Sequence, residues 1–169
     1  MMAGGVLFFK KVTFLQLENL DRGKVLSIRV SPSEPFSMFY IHSIYLEPVF
    51  EEFRIQDGAI LLEGVRTKSV PVMEYYGFED IREFHPIHLK LGALYLKWGT
   101  GEGQGLIVRD RKIYLSEIGQ RGDRIRLRVD SLSLAAYLWR HFFHLPPERD
   151  KQEGSSLNLR SPSFVFLEG

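Results

Sequence analysis

His42 and Glu51 interrupt the apolar stretch FSMFYIHSIYLEPVFEEFRI, residues 36–55, at positions where a buried strand would carry apolar side chains. In an extended chain, successive side chains point to opposite faces, so Phe36, Met38, Tyr40, His42 and Ile44 share one face. Val49, Glu51, Phe53 and Ile55 share a face of the next segment. A two- or four-residue connection then sets Ile44 opposite Val49, His42 opposite Glu51 and Tyr40 opposite Phe53. Opposed Cβ atoms lie about 4.5–5.5 Å apart, within reach of an imidazole–carboxylate hydrogen bond. Each polar group would offset the other's burial penalty. Such a pair could bind a polar ligand. It could also act in a small-molecule hydrolase, His42 as general base and Glu51 orienting it. As a purely structural device it would fix strand register.

Other reactive residue types carry less. His42 and Ser43 are adjacent, so in a strand they point oppositely and cannot form a nucleophile–base couple, and no G-x-S-x-G elbow supports one. His141 and His144 are three apart and would share a helix face, a weak alternative for a metal site with Glu148 as a further oxygen ligand. His85 and His88 have the same spacing, but Pro86 disfavours a helix there. The glycines of WGTGEGQG fit neither nucleotide fingerprint and read as a hairpin loop. Arg124, Arg126 and Arg128 line the polar face of one strand, in a segment with seven basic and three acidic residues between 109 and 128. This basic patch reads as a solvated face or a charge-protected edge strand, or else as a dock for an acidic protein or lipid headgroups. Nucleic acid is not an expected partner, because no aromatic platform interleaves the arginines.

The elements that must position these groups are mostly strands. Period-two alternation runs from Lys10 to Asp130, broken by turn residues at short intervals. KVTFLQLE and KVLSIRV flank NLDRG as a first hairpin, with Gly23 at positive φ. Asp57-Gly58 marks another turn. GLIVRDRKIYL reads as a hairpin over Asp110-Arg111, pairing Val108 with Ile113 and Leu106 with Leu115. PVMEYYGFEDIREFHP reads as irregular, and DRIRLRV as a last strand with Ile125, Leu127 and Val129 inward. In SLSLAAYLWRHFFHL, Leu134, Leu138, Phe142 and Leu145 recur at helical spacing after Ser131 or Ser133 as cap. A helix over 133–145 is expected, its Leu134, Leu138 and Phe142 stripe against a sheet. Residues 146–169 are expected to form a mobile tail.

The bulk properties fit one domain, 1–145. A net charge of +1 supplies no global field for a polyanion, and with no cysteine there is no disulfide or thiolate site. No apolar run approaches the roughly 20 residues of a membrane-spanning helix, so membrane contact is expected to be peripheral at most. The expected fold is all-β, an antiparallel barrel or sandwich of about eight to eleven strands with one C-terminal helix.

Phe36, Tyr40, His42, Ser43, Pro48, Glu51 and Glu52 match the F-x-x-x-Y-x-H-S hallmark, and the proline and glutamates after it, of an uncharacterised prokaryotic domain family encoded beside TAXI-type TRAP transporters. GKVLSIRVSPSEP and IVRDRKIYLSEIGQRGDRIRLRV resemble its flanking blocks, so the resemblance spans roughly Phe14 to Val129. Glu47, where threonine is common, and YYGFED depart from it. The resemblance implies a domain of unknown function in an accessory role in solute uptake. Its partner would be a membrane transporter subunit or a small organic solute. It also implies an extracytoplasmic location, although no signal peptide is visible, which makes a cytoplasmic one the alternative. The leading expectation is a non-enzymatic binding module without a cofactor, with Tyr40, His42, Ser43 and Glu51 as ligand-binding residues. The alternatives are the hydrolase and a structural oligomerisation domain.

Overall fold

The computed structural model describes residues 11–99 and 103–143, the last four by backbone alone. Ten strands follow in chain order among them: β1 Lys11–Asn19, β2 Val25–Val30, β3 Pro35–Ile41, β4 Pro48–Gln56, β5 Ala59–Arg66, β6 Phe84–Leu91, β7 Ala93–Lys97, β8 Gly105–Val108, β9 Arg111–Tyr114 and β10 Arg124–Ser133. A short helix, α1, spans Val70–Tyr75 and a second, α2, spans Leu134–Phe143. The strands form two antiparallel sheets ordered β2-β1-β10-β7 and β6-β5-β4-β3-β8-β9. Neither sheet closes on itself, so the architecture is a sandwich and not a barrel.

Alternation explains the packing. In β4 the buried positions are Val49, Glu51, Phe53 and Ile55, and in β3 they are Phe36, Met38 and Tyr40. These meet Leu15, Leu17, Leu94, Ile125 and Leu127 of the smaller sheet in one core. Gly92, between β6 and β7, is where the chain passes from the large sheet to the small one. The first hairpin turns through Gly23 at φ 69°, and β4–β5 through Asp57 and Gly58 at φ 52° and 73°, left-handed positions that short turns require.

Three expectations need correction. The β8–β9 turn is Arg109-Asp110, pairing Val108 with Arg111 and Leu106 with Ile113, so the turn falls one residue earlier and the register two residues away from what alternation alone suggested. β10 is not an edge strand: it lies between β1 and β7, so its arginines guard no free edge. They have partners instead. Arg124 pairs with Asp21 at 2.7 Å and Arg126 with Glu18 at 2.5 Å, while Arg128 stands opposite Gln16 and Ala93. The acids come from β1 and its turn, over a hundred residues away, which is why a local count shows an excess that the fold partly removes. In α2, Ser133 Oγ caps the helix by accepting from Ala136 N at 3.2 Å. The helix contacts the sheet through Tyr137, whose ring lies tilted against Phe14 at 5.5 Å, while Leu138 is exposed, so the expected stripe does not pack as a unit. The side chains of Phe142 and His141, together with His144, Leu145 and the 146–169 segment, lie outside the described residues.

Candidate functional site

The most distinctive polar cluster lies under the connection from β3 to β4. β3 ends at Ile41, and residues 42–47 form a six-residue loop closed by His42 N to Glu47 O and Leu46 N to His42 O, both 2.8 Å. Leu46 adopts φ 54° to complete it. His42 shapes the loop locally, its Nδ1 accepting from the backbone N–H of Ile44 and Tyr45, each at 3.4 Å. Pro48 opens β4, where its missing N–H is tolerated.

The longer loop shifts the register by four residues. Met38, not His42, stands opposite Glu51, and Tyr40 stands opposite Val49. The expected face-to-face His42–Glu51 pair is therefore not formed. A shift by an even number of residues preserves which face each side chain occupies, so both groups still point inward and both are 1% exposed.

Glu51 is tied to tyrosines. Its Oε1 accepts from the Tyr40 hydroxyl at 3.2 Å, and that hydroxyl is in close contact with the hydroxyl of Tyr76. Oε2 is buried and has no hydrogen-bond partner among the described residues. Burial raises the Glu51 carboxyl from 4.5 to about 7, opposed by the Tyr40 hydrogen bond. Burial also raises the Tyr40 and Tyr76 hydroxyls, with the Glu51 charge adding to both. His42 is lowered by burial.

Tyr76 belongs to an element that alternation could not reveal. Ser69, Pro71 and Gly77 bracket one and a half turns of helix, too short for a periodic signal. Gly77 at φ 76° ends it, with Phe78 N bonding back to Met73 O at 3.0 Å. Val72 enters the core, while Tyr75 meets the His42 ring edge-on at 4.9 Å and Tyr76 stacks on Phe78. Phe78 in turn stacks on the buried His85 at 3.9 Å, and His85 Nδ1 lies 3.5 Å from Asp80. Thr67 Oγ1 donates to Pro48 O at 3.1 Å, pinning the start of this segment beside the loop.

Of the four expected ligand-binding residues, the structure joins Tyr40 and Glu51, buries His42 under Tyr45 and Tyr75, and leaves Ser43 exposed in the loop. The surface above them is apolar: Ile44 is 62% and Leu46 75% exposed, and Ile41, Tyr45, Val70 and Tyr75 are exposed around them. Among the described residues no three His, Cys, Asp or Glu side chains gather in a way that could hold a metal ion. No family model, curated protein or solved structure matches this chain.

Proposed function

We propose that the domain is a non-enzymatic binding module that docks a protein partner through the apolar tip formed by loop 42–47 and α1. The observation that carries this reading is the contrast between the two sides of the loop. The groups able to do acid–base chemistry, His42 and Glu51, are buried beneath it, whereas Ile44, Tyr45, Leu46 and Tyr75 face outward. A hydrolase needs the reverse, a base within reach of its substrate. Large apolar side chains clustered on a shaped loop are a recurrent mark of an interaction surface.

The tip is held in shape. Tyr45 and Tyr75 lie 6.3 Å apart over His42, the Glu51–Tyr40–Tyr76 chain fastens α1 to the sheet, and Thr67 ties the helix approach to Pro48. Such preorganisation lowers the ordering penalty of binding. Glu47 in the loop and Glu74 in α1 are exposed, with Lys68 exposed just before the helix, so a partner with a basic rim is favoured. No helix among the described residues is long and apolar enough to cross a membrane. The resemblance of residues 36–55 implies a transporter subunit as the partner and an extracytoplasmic meeting place.

Photo-crosslinking in the native host tests this. A photoreactive residue is placed at position 46, with position 57, an exposed site in the β4–β5 turn at the other end of β4, as control. The expected result is a specific adduct between position 46 and a transporter subunit identified by peptide mass. Equal labelling from both positions, or no transporter adduct, overturns the reading.

A further inference from the structure

We infer that the end of the sandwich opposite loop 42–47 carries a second site, for a small molecule bearing two oxyanion charges, held by Lys11, Arg29 and Arg109. A groove of about 480 Å³ lies there, between the start of β1, the end of β2 and the β8–β9 turn. Its volume is within the range of small-molecule sites. Three of its lining residues are basic and none is acidic. Lys11 and Arg29 come from the small sheet and Arg109 from the large one, so a ligand there would bridge both layers. The buried Val12 and Val30 supply an apolar floor, and Ser31 a hydroxyl.

The charge is cancelled only in part. Arg109 is paired with Glu34, Nη2 to Oε2 at 3.0 Å and Nε to Oε1 at 3.3 Å. Among the described residues no ion pair includes Lys11 or Arg29. Lys11 and Arg29 thus line the groove without an ion-pair partner among the described residues, matching a dianion. Glu34 also accepts the Ser31 N–H at 3.1 Å, so one carboxylate fixes both the arginine and the segment that forms the rim. It engages two of the five guanidinium N–H donors, leaving three for a ligand.

Arg109 is also placed against local preference. It takes φ 56° at the first position of a two-residue hairpin turn, where glycine or asparagine is more easily accommodated. A residue kept at a conformationally unfavourable position beside a basic groove fits a requirement for its side chain. The groove lacks an aromatic lining, which disfavours a stacked nucleic-acid base and points to a compact anion, a dicarboxylate or a phosphate. This site is at the far end of β3 from the docking tip and does not depend on it.

The test is a low-salt titration of the full chain with succinate, inorganic phosphate and, as a neutral control, glycerol, followed by amide NMR shifts. A further arm uses phosphatidylglycerol vesicles, since a lipid headgroup presents related chemistry. Saturable shifts at residues 29–32 and 109–111 are expected with millimolar succinate or phosphate and not with glycerol. Arg29→Ala and Arg109→Gly should each weaken succinate binding about tenfold. Because Arg109→Gly relieves the left-handed backbone, its melting temperature should be no lower than that of the parent, which separates lost binding from lost folding. No saturable shift, equal affinity in both variants and parent, or a response to vesicles alone would each refute the site.

Discussion

Replacing Glu51 by glutamine should change how stability depends on pH far more than it changes stability at any one acid pH. The carboxyl rises from 4.5 to about 7 on folding because it is buried beside Tyr40 with no cation to compensate it. Its folded-state affinity for a proton therefore exceeds that of the unfolded chain. Between these two values the folded state holds the extra proton, so stability falls as pH rises through the window, and the penalty is complete above about pH 7. A shift from 4.5 to about 7 corresponds to roughly 3 kcal/mol. Glutamine retains an oxygen that can accept from the Tyr40 hydroxyl but cannot ionise. Its extra amide N–H₂ carries a burial penalty, yet that term is the same at every pH. The Glu51→Gln protein should thus gain about 3 kcal/mol relative to the parent between pH 4.5 and pH 8. Urea unfolding of both proteins across this range, followed by tryptophan fluorescence, measures the difference. With slopes of about 2 kcal/mol per molar, the relative midpoint moves by about 1.5 M. His42, whose shift has the opposite consequence for stability, is present in both proteins and drops out of the comparison. Parallel curves with a constant offset would show that Glu51 does not sit alone in a dry environment, and the description of the cluster would fail.

Three further outcomes follow from the same geometry. Tyr40→Phe removes the one hydroxyl that stabilises the ionised Glu51, so the Glu51 titration should move upward, as read by carboxyl-carbon NMR; an unchanged midpoint would contradict the Tyr40–Glu51 bond. His42 should titrate below 6.5 because burial disfavours its cation, and a midpoint above that value by imidazole NMR would mean that a carboxylate faces it after all. Gly105→Ala places a Cβ 2.3 Å from Ile113 O and 2.8 Å from the Phe39 ring, so thermal unfolding should reveal a loss of several kcal/mol, on the order of 3; a loss below about 1 kcal/mol would show that β8 and β9 do not approach this closely.

Much of the fold was legible because alternation reports the face of a side chain, and the sandwich is built from faces. Tyr40, His42 and Glu51 were read as inward residues, and they are buried. Alternation is blind to a slip by an even number of residues, so it could not distinguish a short hairpin from the six-residue loop that ends β3 at Ile41. The Arg109-Asp110 turn escaped for a related reason, since a left-handed arginine carries no turn signal of its own. Tyr76, which completes the hydrogen-bond chain from Glu51, sits at the end of six helical residues whose only trace is Ser69, Pro71 and Gly77. Arg124 and Arg126 looked unpaired because Asp21 and Glu18 reach them through a β1–β10 pairing with no local signature.

The central claim is that the outward face of loop 42–47 binds a partner while the polar cluster beneath it only holds the loop in place. The most direct measurement is calorimetric titration of whatever partner is captured through position 46, using the parent chain, Ile44→Ser/Leu46→Ser and Glu51→Gln. Binding should be lost or weakened at least about a hundredfold in the loop variant, in line with two central apolar contacts, and should persist in Glu51→Gln. Unchanged affinity in the loop variant, with binding abolished in a folded Glu51→Gln protein, would contradict the account.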